Sequence, residues 1–92
     1  MNSFGEYLRN KREQQGLPLR KVAAELDIDT SILSKIERNE RMATKEMLPI
    51  FAKTLEIEGR DIQIEFIRAT VLSTLGDLEF LAEGLKNVLK KI

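Results

Sequence analysis

Apolar residues recur along this chain every three to four positions, with no stretch of the strict alternation that marks a half-buried strand. An all-α fold class follows. The first amphipathic segment spans Ser3 to Gln15, with Phe4 and Leu8 on its apolar face. Ser3 and Glu6 form a capping box, and Gly16 supplies a residue able to end the helix in the left-handed region. A second helix begins near Pro18, whose missing N–H is harmless in a first turn. It carries Leu19, Val22, Ala23 and Leu26 as its stripe. Asp27, Ile28 and Asp29 make a turn, and Asp29 or Thr30 caps a third helix. On that helix Leu33, Ile36 and Glu37 share one side. Ser31, Ser34, Lys35 and Arg38, spaced i, i+3, i+4 and i+7, share the other.

A fourth helix, with Thr44 as cap, places Leu48, Phe51, Ala52 and Leu55 on one face. Pro49 falls inside this pattern, so it must either kink the helix or delay its regular part. Ile57 closes the core and Glu58-Gly59 is a linker. The fifth helix runs from about Arg60 to Leu75. Its apolar residues Ile62, Ile64, Phe66, Ile67, Val71, Leu72 and Leu75 occupy more than one stripe, which predicts cover on two sides. Gly76-Asp77 reads as a helix end followed by a new cap. A sixth stripe then holds Leu78, Leu81, Ala82, Leu85, Val88, Leu89 and Ile92, with Lys86, Lys90 and Lys91 placed well for the helix dipole.

Two charges break this pattern. Arg12 falls on the Phe4–Leu8 row, and Glu37 falls on the Leu33–Ile36 row. A charge on a core-facing row needs a partner, so Arg12 and Glu37 are expected to form a structural ion pair between the first and third helices.

At 92 residues the chain suits one small domain. A domain of this size buries only about 60–65% of the surface its unfolded chain exposes, so a partner subunit would add to its stability. Fifteen basic and fifteen acidic residues give zero net charge, which argues against binding nucleic acid through bulk charge. Residues 9–21 nevertheless hold Arg9, Lys11, Arg12, Arg20 and Lys21 against Glu13 alone. The chain contains neither Cys nor His. Disulfides and thiolate chemistry are thereby excluded, and the common catalytic bases and metal ligands are missing. An enzyme, a metal site and a cofactor are not expected, and no small-molecule effector site is indicated. No apolar run approaches the roughly 18 residues of a membrane helix, and no leader segment precedes the first polar turn; the cytoplasm is the expected location.

The segment GLPLRKVAAELDIDTSILSKIERNER, with the later LPIFAKTLEI, resembles the XRE-type helix-turn-helix family of phage-repressor and Cro-like regulators. Gly16, Leu17, Ala23, Leu26, Ser31, Ser34, Ile36 and Glu37 carry the match, and the likeness extends over residues 4–66. It implies a five-to-six-helix repressor-like helix-turn-helix domain over residues 1–68; the apolar stripes beyond it predict a C-terminal helical extension over 69–92, packed on it and serving dimerisation. It implies double-stranded DNA as partner. Thr30, Ser31 and Lys35, with Ser34 beside them, fall at base-reading positions. Arg38, Arg41, Thr44 and Lys45, with Arg20 or Lys21, fall where phosphates are held. Arg9 and Lys11 are weaker candidates.

The chain departs from the family pattern in places. Pro18-Leu19 stands where relatives carry a Ser-Gln pair that caps the second helix and touches a phosphate, so that contact is expected to be missing, with Arg20 or Lys21 as candidates to replace it. Asp27 and Asn39 replace glycines. Phe66, Val71, Leu72, Leu75, Leu78, Leu81 and Leu85 are the expected faces of a homodimer, because the last two helices carry more apolar surface than the head requires. A sequence-specific regulator on a dyad-symmetric operator follows, of the kind that accompanies some restriction–modification systems. The alternative is an antitoxin or adaptor whose C-terminal helices grip another protein.

Overall fold

The computed structural model describes residues 3–92. Among these residues six α-helices follow one another: α1 (Phe4–Gln14), α2 (Leu19–Leu26), α3 (Thr30–Glu37), α4 (Leu48–Thr54), α5 (Gly59–Leu75) and α6 (Leu81–Leu89). A single 3-10 turn, Lys45–Met47, leads into α4. No strand occurs among the described residues.

Local chemistry explains most of these boundaries. The Ser3 hydroxyl oxygen accepts the Glu6 backbone N–H at 3.1 Å, which satisfies one unpaired donor at the start of α1. Gly16, at φ 67°, turns the chain out of α1, and the Leu17 N–H then donates back to the Arg12 carbonyl at 3.1 Å. Pro18 lies just outside α2 as its cap rather than within its first turn, because its ψ of 155° is extended. Asp27 ends α2 in the left-handed region at φ 56°, and Asn39 follows α3 at φ 62°. Asp29 is the residue that precedes α3, with no hydrogen bond from its side chain to the helix start; Thr30 is the first helical residue. Thr44 precedes the 3-10 turn, not an α-helix. Pro49 sits in the first turn of α4, where its fixed φ is an advantage, so the regular helix starts late and needs no kink.

Helices α1 to α4 and the start of α5 enclose one core. Phe51, Leu8, Leu33, Ile36, Leu55, Ile62 and Val22 are its fully buried side chains. Phe66 seals the edge, half-buried, with its ring edge-on to Phe4 at 5.4 Å.

The C-terminal part differs from the pattern read in the sequence. Helix α5 is covered on one side, not two: Ile62 is its one buried residue, and Ile64, Ile67, Leu72 and Leu75 face outward. Gly76 ends α5 with right-handed geometry, φ −62°. Asp77 does not cap α6; Phe80 precedes that helix instead. Successive tight turns take up the junction, with Leu78 N–H donating to the Leu75 carbonyl at 3.0 Å and Leu81 N–H to the Leu78 carbonyl at 3.3 Å. Asp77 is thus spent inside a turn. Residues 69–92 were expected to pack on the head, but no residue of α6 is buried. Its apolar stripe is exposed apart from Leu81, which is half-buried.

Candidate nucleic-acid interface

Helix α3 is positioned from behind by two contacts. The first is steric. Gly5 of α1 is buried directly against the backbone of the last turn of α3; a Cβ there would lie 2.6 Å from the Glu37 carbonyl oxygen and closer still to that of Ile36. Only glycine permits this approach.

The second contact is ionic. Arg12 Nε donates to Glu37 Oε2 at 2.8 Å, and Arg12 Nη2 donates to Glu37 Oε1 at 3.0 Å. This is the parallel two-bond fork that a guanidinium makes with a carboxylate. Arg12 Nη1 also donates to the Leu17 carbonyl at 2.8 Å. The Glu37 side chain is 6% exposed and that of Arg12 12%. The hydrogen bond to Glu37 raises the Arg12 pKa above its ordinary value, outweighing burial, which lowers it. One guanidinium thus joins α1, the loop into α2 and the end of α3.

With its inner row fixed, α3 turns Thr30, Ser31 and Lys35 to solvent, while Ser34 is half-buried beside them. Hydroxyls and an ammonium on one exposed helix face are groups that can donate to base edges in a major groove. Downstream, Arg38, Arg41, Thr44 and Lys45 are all exposed along the loop from α3 to the 3-10 turn. Arg38 is engaged by Glu40, Nε to Oε2 at 3.2 Å, both side chains 55% exposed. So exposed a pair contributes little and exchanges readily for a phosphate. Arg20 and Lys21 are exposed in the first turn of α2, which has no acidic residue and no side-chain cap. Two cations at the positive end of a helix dipole are unfavourable alone and suited to an anion.

The positive excess of residues 9–21 does not form one patch. Arg12 is inside the ion pair. Arg9 pairs with Glu13 at 3.4 Å. Lys11 sits over the Tyr7 ring, 5.7 Å from its centre, in a hollow shared with Asp61 and Glu65 of α5. The Tyr7 pKa is raised by burial first, then by Glu65 and Asp61. Arg20 and Lys21 are what remains for a partner. Two participants escaped the reading of the sequence. Gly5 was signalled by a glycine inside an otherwise helical turn. Glu40 gave no signal, since a loop carboxylate two residues from an arginine is an ordinary surface feature.

No group of acidic residues that could hold a metal ion occurs among the described residues. Among them, no helix is long and apolar enough to cross a membrane.

A family model described as helix-turn-helix matches residues 8–62, from Leu8 in α1 to Ile62 in α5. No curated protein and no solved structure matches the chain. The matched span covers the turn between α2 and α3, the ion pair and the loop beyond α3, and it takes in more than half the chain. The family is one of DNA-binding regulators rather than enzymes. On the fold, on this match and on the residues it spans, the chain belongs to the XRE-type helix-turn-helix family of DNA-binding transcriptional regulators.

Proposed function

We propose that the protein is a sequence-specific regulator that binds double-stranded DNA as a homodimer on a dyad-symmetric operator, acting in the cytoplasm where it can occlude a promoter and repress it. The observation that carries this reading is the exposed Thr30, Ser31 and Lys35 row on a helix locked from behind by Arg12–Glu37. Thr30, Ser31 and Lys35 read bases, with Ser34 at the edge of the contact. Lys35 donates to guanine O6 and N7. Arg38, Arg41, Thr44 and Lys45 hold phosphates on one side of the groove, and Arg20 and Lys21 hold them on the other. Two heads related by a two-fold axis read half-sites about one helical turn apart. Control of a restriction–modification operon is one setting for such a dimer.

The test compares two substitutions on selected and random DNA. Lys35→Ala is expected to cost about 1–3 kcal/mol on the operator and to relax preference at one base position, leaving random DNA nearly unaffected. Arg38→Ala is expected to weaken both DNAs alike and to reduce the slope of log affinity against log salt by about 1. Equal loss on both DNAs for Lys35→Ala would remove that residue from the base-reading set.

A second reading is favoured by the bare apolar stripe of α6. An antitoxin or adaptor would use it to hold a different protein. Stoichiometric co-purification of a second polypeptide is the result that would favour it over self-association.

A further inference from the structure

A groove of about 400 Å³ runs between the start of α1, the loop after α3 and the C-terminal half of α5. Phe4, Phe66, Ala69 and Leu72 line one side, and Met42 and Ala43 line the other. All of its lining residues lie between Ser3 and Ser73, so α6 of the same chain contributes nothing to it. Beyond it α6 leaves most of its apolar residues in solvent, with Val88 54% and Leu89 66% exposed.

We infer that the groove receives α6 of a second copy of this chain, reciprocally, so that each subunit lends its last helix to the other's head. The inference rests on the homodimer proposed above and specifies how it is built.

Area supports a second copy as the occupant. The ten large apolar side chains left exposed from Ile64 to Ile92 present on the order of 1,000 Å², against about 800 Å² per partner in a standard interface. Continuity supports it too. Leu72 both lines the groove and, with Leu75, extends the exposed row of α5 toward α6. A helix seated there therefore covers the groove and that row together. Exchange about a two-fold axis is self-limiting, since each groove and each helix is used once.

The position of the groove adds a consequence for DNA binding. Met42 and Ala43 stand between Arg41 and Thr44, the loop residues assigned to phosphates. A seated helix also meets Arg41, itself a lining residue, and so fixes the loop that carries the phosphate contacts. Subunit exchange and phosphate contact then share one wall.

The natural absence of cysteine makes the test clean. Met42→Cys and Leu89→Cys chains are prepared separately, mixed at low micromolar concentration and oxidised, with sedimentation run in parallel on the unsubstituted protein. A disulfide-linked dimer in the mixture, and in neither variant alone, is the expected result. Cross-linking of Leu89→Cys by itself would place α6 against α6 and overturn the groove seat while leaving the dimer intact. A dimer by sedimentation with no cross-link in any sample would overturn the seat in the same way. A monomer by sedimentation would overturn the dimer reading itself, and an intrachain disulfide in a chain carrying both Met42→Cys and Leu89→Cys would then show α6 folding onto its own head.

Discussion

Replacing Glu37 with alanine is expected to destabilise the fold by about 3–5 kcal/mol. The carboxylate accepts two hydrogen bonds from Arg12 in a site where both side chains are nearly sealed from water. Without it the guanidinium keeps one acceptor, the Leu17 carbonyl, and an uncompensated buried charge. Small domains unfold with only about 5–15 kcal/mol, so the variant should be partly unfolded at modest denaturant. Urea titration measures the effect, as a fall in midpoint at constant slope. Replacing both partners together, Arg12→Met with Glu37→Leu, should recover most of the loss, because the desolvation cost disappears along with the attraction. A single Glu37→Ala loss below about 1 kcal/mol would mean that the pair is solvated in solution.

Gly5→Ala is the second large effect, and its sign opposes simple expectation. Alanine is favoured over glycine in a helix interior by about 1 kcal/mol. Here the added methyl meets backbone atoms of α3, 2.6 Å from the Glu37 carbonyl oxygen and 2.8 Å from its carbonyl carbon. Backbone cannot rotate away as a side chain can, so α1 and α3 must separate. A net loss of about 2–3 kcal/mol is expected, in the upper range for overpacking. Thermal or urea unfolding reads it directly, and a variant as stable as the parent would show that the helices stand further apart. Because Gly5 and the ion pair act on the same α1–α3 contact, their effects should not add when combined.

How far the fold could be read from the chain depended on how local each signal was. The helices of the head follow from apolar spacing and from end residues such as Ser3, Gly16 and Asp27, all acting within a few positions. The Arg12–Glu37 pair was legible despite a separation of 25 residues in sequence, because each charge interrupts an apolar row and needs the other. At the start of α6, Gly76 and Asp77 have the right chemistry for a helix end and a cap, but turns through Leu78 to Phe80 take their place. The covering of α5 was misjudged because apolar residues on two stripes say that two faces want burial, not that one chain provides it. Of the surface, Ser31, Lys35 and Arg38 could be placed from helix periodicity, whereas Thr30 joined them only through the family resemblance. The apparent basic cluster at residues 9–21 could not, since Lys11 is drawn to the Tyr7 ring and Arg9 to Glu13.

The three bonds of the Arg12 guanidinium also bear on the thermodynamics of docking. They tie three successive segments of the head together before any DNA arrives. Ordering the reading helix is therefore completed during folding, and little conformational freedom is left for association to remove. On the proposed function, docking of the head is expected to be a rigid-body event, with discrimination between sequences set by contacts at the groove and by the deformability of the DNA.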